Sequence, residues 1–250
     1  QWYIGYLNYI QPLKERGLPF CYPRFVATHE MELSDVFDLA LAKKLTTTAA
    51  SVVPNNLRLA PHERVVVITG PNQGGKTTFA RAIGQLCHLG ALGLPVPGTG
   101  ARLCLIDRIF THFEREESIR TQRGRLHEEL IHLHEGLQEG GPESLFILNE
   151  PFSSTTTADA LLLSLKILAQ ILQKESFAIW VTFLDELASY NDQVVSMVSC
   201  IDPEDPSVRT FKVERREADG LAYAHSIAEK YHLTYQWIKK RLLAQEEVRQ

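Results

Sequence analysis

Apolar and polar positions change their period several times along this chain. Over its first ten residues Trp2, Tyr3, Ile4, Tyr6, Leu7, Tyr9 and Ile10 include several side chains at helical separations, which predicts a helix within residues 1–18. Gly17, Pro19 and Pro23 interrupt it and mark the clearest boundary in the chain. Two readings of that helix stand together: the lower end of a helix arriving from an upstream domain, or a helix packed on this domain's own core.

From residue 64 onward short apolar runs alternate with helical patterns. Strands are predicted at 64–69, 103–106, 145–149 and 177–182, with helices starting near Lys76 and spanning 158–174. Regular alternation of this kind indicates a mostly parallel sheet flanked by helices, an α/β fold. Two further strands, at 194–201 and 208–213, are joined by a short turn and read as an antiparallel edge. Residues 222–244 carry apolar positions at helical spacing on both sides of a turn at 232–234. The polar run 153–157 reads as a loop and the charge run 114–125 as a solvated face. The resulting division is 1–20 as the end of an upstream helix and linker, 21–220 as the main domain, and 221–250 as a C-terminal helix-turn-helix.

Composition narrows the class. The 250 residues are 44% apolar and 22% charged, ordinary for a globular chain and unlike a disordered or repetitive one. The longest apolar stretch, at 177–184, is far too short to cross a bilayer, so no membrane association is expected. The net charge of −4 removes the broad positive field of an autonomous nucleic-acid binder, so any DNA contact must be local or made by other segments. Cys21, Cys87, Cys104 and Cys200 show no CxxC spacing, which argues against a zinc site or disulfide scaffold and fits a reducing cytoplasm. The opening Gln1-Trp2, with no methionine, reads as the edge of a piece of something longer.

The motif with high specificity is Gly70-Pro71-Asn72-Gln73-Gly74-Gly75-Lys76-Thr77, a full GxxxxGK[ST] match. Its context is right: a buried-strand run precedes it, and Phe79, Ile83, Leu86 and Leu89 make a helical stripe after it. Glycines let the backbone turn N–H groups inward, where a helix N-terminus adds to an anion cradle. Lys76 is then expected to reach the β- and γ-phosphates of ATP, and the Thr77 hydroxyl to ligate Mg2+. Thr78 completes the nucleotide-binding set. At the end of a later strand, Asn149-Glu150 stands where a metal anchor and a water-polarising carboxylate are needed. Glu150 is the candidate catalytic residue. Asn149 supplies no negative charge and could hold magnesium only through water, so metal affinity should be weakened.

These residues resemble the ATPase domain of the MutS family of DNA mismatch-repair proteins, over nearly the whole chain, as a divergent member. The run 68–78, with its Pro71-Asn72 pair, is similar to that family's variant of the P-loop. Val53-Pro54-Asn55-Asn56-Leu57 looks like the segment by which the family approaches the nucleotide base. Asp107-Arg108-Ile109-Phe110-Thr111 matches a run seldom found elsewhere, and Ala222-Tyr223-Ala224-His225 resembles the start of the family's C-terminal dimerisation element. The resemblance implies an ABC-like ATPase that pairs as a homodimer, each nucleotide site completed by a signature segment of the opposite subunit. DNA would be held by upstream arms absent from this chain. It also places Asp159 in a loop crossing the dimer interface, with simple stabilisation of a helix N-terminus as the alternative.

Departures from the family pattern gather on one function. Gly124, followed by Arg125, falls where the signature segment has a serine; Asn149 replaces an aspartate; Pro151-Phe152-Ser153-Ser154 replaces a glycine-rich turn; and Phe183 replaces a γ-phosphate-sensing histidine. Hydrolysis is therefore expected to be slow, with compensation by Arg120, Arg123, Arg125 or water as the alternative. His127, His132 and His134 lack metal-ligand spacing and read as a solvent-facing or interface helix. Asp185-Glu186 reads as the opening of a helix rather than a catalytic pair. Three functions remain open at this stage: a mismatch-repair or damage-sensing ATPase, a MutS-like dimer switch acting on recombination junctions or on no DNA, and a generic ABC-type ATPase.

Overall fold

The computed structural model describes residues 1–48, 50–113, 122–202, 204–205, 208–218, 234–235 and 237–239, and not the side chains of 122, 123 and 125. The charge run is thus largely outside the described residues, as is nearly all of the 221–250 element. In chain order the structure has α1 (Trp2–Glu15), β1 (Phe20–Cys21), β2 (Arg24–Phe25), β3 (Met31–Val36), α2 (Leu39–Leu45), β4 (Asn55–Leu59) and β5 (Val65–Thr69). There follow α3 (Lys76–Ala91), β6 (Val96–Pro97), β7 (Gly100–Leu103), β8 (Arg108–His112), α4 (Gln122–Glu139) and β9 (Ser144–Asn149). The last are α5 (Thr157–Gln173), β10 (Phe177–Val181), a 3-10 turn at Asp185–Ser189, β11 (Val194–Ile201) and β12 (Arg209–Arg215).

Six strands form the central sheet in the order β12-β11-β5-β10-β9-β8. All neighbours are parallel except β11 and β12, so β12 is the antiparallel edge while β11 runs parallel to β5. Strands buried on both faces have no polar side, which is why β10 and the first four residues of β5 read as unbroken apolar runs. Alternate residues of one strand serve two cores. Val66 and Ile68 face α3 and a second sheet, whereas Val65, Val67 and Trp180 face α4 and α5.

That second sheet, β2-β7-β3-β4, is mostly antiparallel, and the sequence pattern did not predict it. The central sheet is therefore covered by helices on one face and by a helix plus a sheet on the other. The strand predicted at 103–106 is also corrected. Leu103 ends β7 in the second sheet, and β8 of the central sheet begins only at Arg108. Leu103, Cys104 and Ile106 are buried because this connector crosses the core between the sheets, and Leu105 is exposed. The predicted helix after β10 is the five-residue 3-10 turn, with Asp185 and Glu186 in its first turn.

Helix α1 ends in a glycine C-cap. Gly17 lies at φ 84°, its N–H donates to Lys14 O at 2.9 Å and Leu18 N–H to Leu13 O at 3.1 Å, with Leu18 packed on the same small cluster as Leu13. Ile10 and Leu13 are fully buried, while Trp2 and Ile4 are more than half exposed, so the helix buries apolar side chains in its C-terminal half, and nearer its start Tyr6 Oη donates to Pro95 O at 2.7 Å. Helix α2 is held by Asp38. One carboxylate oxygen accepts Leu41 N–H at 2.7 Å as an N-cap and the other accepts Arg81 Nε of α3 at 2.9 Å. Among the described residues no helix is long and apolar enough to cross a membrane.

Candidate functional site

The 70–77 loop leaves the C-terminal end of β5, the middle of the sheet, and runs into α3. Its turn needs left-handed backbone at Gly70 (φ 106°), Gln73 (φ 61°) and Gly75 (φ 91°), with Gly75 as N-cap of α3. The loop lies directly on β11. A Cβ on Gly70 or on Gly74 would come within 2.6 Å of Ser199 Oγ, so both positions exclude side chains for lack of space. Gly70, Pro71, Asn72, Gln73, Gly74, Gly75, Lys76, Thr77 and Thr78, predicted as one set, are contiguous at the head of this strand–loop–helix unit.

Lys76 is 4% exposed. Its Nζ donates to Gly70 O at 2.6 Å and Pro71 O at 3.1 Å and lies 4.9 Å from the centre of the Phe183 ring. Burial lowers its pKa from the usual lysine value; the negative charge of Glu150 opposes this and the positive charge of Arg209 adds to it. Thr77 Oγ1 donates to Asn149 Oδ1 at 2.6 Å, so the two predicted metal-site residues touch directly. Glu150 follows at the end of β9 with φ 50°, and its N–H donates to Val181 O of β10 at 2.8 Å. This left-handed turn brings Glu150 to the edge of the cleft described below.

The next turn is made without glycine. Phe152 adopts φ 65° with a fully buried ring, and its N–H donates to Glu129 Oε2 of α4 at 3.1 Å. Helix α4, which carries Gly124 in its first turns, is thereby tied to the segment after Glu150. The side chain of Arg125 lies outside the described residues. His127, His132 and His134 are exposed on α4. Asp159 sits in the first turn of α5, where its N–H donates to Thr156 Oγ1 at 3.2 Å and its carboxylate accepts the same hydroxyl at 2.9 Å, a reciprocal N-terminal cap.

Beside the loop opens a cleft of about 490 Å3, within the range of small-molecule sites. Leu41, Leu45, Val52, Val53 and Phe211 line its apolar part; Lys76, Thr77 and Glu150 stand at its polar end. Phe211 was not foreseen. Between the pairs Ser199↔Val213 and Ile201↔Arg209, Cys200 alone opposes three residues of β12, and the extra length puts Phe211 at φ 58° beside Gly75. Asn55 clamps this bulge. Its Nδ2 donates to Phe211 O at 3.1 Å and its Oδ1 accepts Val213 N–H at 2.8 Å. Lys212 Nζ donates to Pro54 O at 2.6 Å and Arg209 Nε to Asn72 O at 3.1 Å. No local periodicity signals Phe211, since its position follows from the bulge.

These features define an α/β domain with a glycine loop at the middle of a mostly parallel sheet and an adjoining amphipathic cleft. The sequence model of MutS domain V matches residues 66–239, and the chain belongs to the MutS family through that domain. Among its relatives, the DNA mismatch repair protein MutS of Oleidesulfovibrio alaskensis (strain G20) is 29% identical over 171 residues, covering 68% of this chain and 18% of the relative. The DNA mismatch repair protein MutS of Desulfovibrio desulfuricans is 31% identical over 148 residues, covering 58% of this chain and 16% of the relative. The chain thus spans less than a fifth of the length of these relatives.

Proposed function

We propose that this chain is the ATP-operated switch of a MutS-like DNA mismatch-repair or damage-sensing protein: an ABC-like P-loop domain that binds ATP with Mg2+, pairs with a second copy, and hydrolyses slowly while controlling DNA-binding arms outside this segment. The observation that carries the reading is Lys76, an ammonium buried at the mouth of a glycine loop and held by two carbonyls and a ring face, with the negative charge of Glu150 also acting on it. Such a cation favours an arriving polyanion strongly, because the buried site screens charge poorly.

The residues present fit the ligands. Loop N–H groups and the α3 N-terminus orient phosphate oxygens, while Val52, Val53 and Phe211 offer apolar surface for a base. Among the described residues no group of three or more His, Cys, Asp or Glu could hold a metal by itself. A magnesium ion would therefore depend on phosphate oxygens and water as well as Thr77, which suits Mg2+ delivered with a nucleotide. When bound, the metal supplies charge neutralisation at the phosphates. Asn149 holds the Thr77 hydroxyl proton and leaves the oxygen's lone pairs available, without adding charge. Glu150 polarises a water molecule. Phe183 contributes no hydrogen bond to a terminal phosphate, and with Asn149 this supports slow turnover. Gly124 and Arg125 are assigned to the trans signature and Asp159 to the dimer interface, beyond its cap.

Calorimetric titration with ADP and a non-hydrolysable ATP analogue tests the reading. Lys76→Ala should weaken both by about tenfold or more, the worth of at least one charge-assisted hydrogen bond, with the circular dichroism unchanged. Equal affinity in that variant refutes nucleotide binding at this loop. Steady-state turnover near or above about 1 s−1, lost in Glu150→Gln, refutes slow hydrolysis.

A further inference from the structure

Resting on the nucleotide-binding reading, we propose that Phe183 makes this site prefer nucleoside diphosphates to triphosphates by capping the ammonium of Lys76. The ammonium has two kinds of contact. In the loop it meets Gly70 O at 2.6 Å and Pro71 O at 3.1 Å; just past β10 it meets the Phe183 ring, whose centre is at 4.9 Å. That distance is a cation–π contact, with no gap in which a phosphoryl group fits between cation and ring.

On this proposal a diphosphate's terminal group would take the place of the two backbone carbonyls on the ammonium. The ring stays where it is. On this proposal a third phosphoryl group bound to the same ammonium would compete with the Phe183 ring for it. The exchange is unequal for the two ligands, because only the triphosphate forfeits the ring contact. A benzyl side chain also offers the displacing oxygens no donor in return.

The fold holds Phe183 in place for this. Thr182, 4% exposed, continues β10 beyond Val181, donating its N–H to Ile68 O at 3.1 Å and accepting Leu184 N–H on its hydroxyl at 3.1 Å. The intervening residue is thereby presented at the head of the sheet, beside the strand that feeds the loop. Phe183 is 55% exposed, so its ring is not part of the core and its replacement leaves no internal cavity.

Affinities for ADP and for a non-hydrolysable triphosphate analogue, measured by calorimetry on the wild type, Phe183→Ala and Phe183→Leu, test the proposal. Leucine keeps apolar bulk without the aromatic face. Both variants should raise the triphosphate-to-diphosphate affinity ratio by about threefold to thirtyfold, the span of a cation–π contact, with diphosphate affinity held within about twofold. A ratio unchanged in Phe183→Ala overturns the proposal, and so does a Phe183→Leu protein that behaves as wild type, since bulk alone would then explain the preference. A wild type that binds neither nucleotide, or a Lys76→Ala protein that binds both as tightly as wild type, would instead remove the nucleotide reading itself, a result distinct from an unchanged ratio.

Discussion

Asn55→Ala should loosen the bulge of β12 from β4, and its cost can be worked from the hydrogen bonds. Asn55 is 8% exposed, and its side chain brackets the bulge through Phe211 O at 3.1 Å and Val213 N–H at 2.8 Å. Two hydrogen bonds contribute about 0.5–1.5 kcal/mol each, and a buried N–H left without a partner at Val213 costs about 1–3 kcal/mol. Together these set a loss of about 2–6 kcal/mol, or about 4–24 °C in Tm for a domain of this size. Urea titration followed by fluorescence measures it, because Trp180 is fully buried in β10 and reports loss of the core. Phe211→Gly is the control. It removes a half-exposed ring and relieves a left-handed backbone conformation that costs a residue with a Cβ about 1–2 kcal/mol, so stability should stay level or rise. A destabilisation below about 0.5 kcal/mol in Asn55→Ala, outside the range for even one of these bonds, refutes the clamp.

Two further outcomes follow from neighbouring groups. Glu63 is buried, which pushes its pKa up, but hydrogen bonds from Arg215 and the Ala60 N–H, with the charges of Arg215 and His62, outweigh burial and leave it below the usual value. Its contribution is therefore complete above the unfolded carboxylate pKa of about 4.3 and fades as pH falls through the lower folded value. Wild type should exceed Glu63→Gln in urea midpoint at pH 7 and lose that margin in acid; an equal margin at both ends of the titration contradicts the assignment. Asn149→Asp places a carboxylate on the Thr77 hydroxyl, and charge-assisted bonds are about twice as strong as neutral ones. Magnesium dependence of triphosphate binding should sharpen by about tenfold in a metal titration, and no change would mean that position 149 lies outside the metal's influence.

The parallel core was legible because its strands are buried on both faces: β5, β9 and β10 lie within the predicted runs at 64–69, 145–149 and 177–182, to within a residue at each end. The second sheet was not. In β3 the inward alternation breaks at Asp35, held at φ 52°, and β4 alternates cleanly in burial but spends its first inward position on a polar residue, Asn55, so neither shows an apolar period of two in sequence. The apolar run at 103–106 was misread for the opposite reason, since a connector buried between two sheets has the composition of a strand. Position 183 was singled out as a departure, but its contact with Lys76 follows from β10 lying beside β5.

What the residues alone determined is local: strand, glycine loop and helix are contiguous from Val65 to Ala91, and chain connectivity brings Gly70, Lys76 and Thr77 together whatever the rest of the domain does. Tertiary structure decided the walls around them. Ser199 beneath the loop, Phe183 against the ammonium, and Phe211 with Asn55 at the cleft come from strands far apart in the chain, placed by sheet order and by one bulge. Pairing partners and bulges depend on burial summed over the whole core, and no short window of sequence contains that sum.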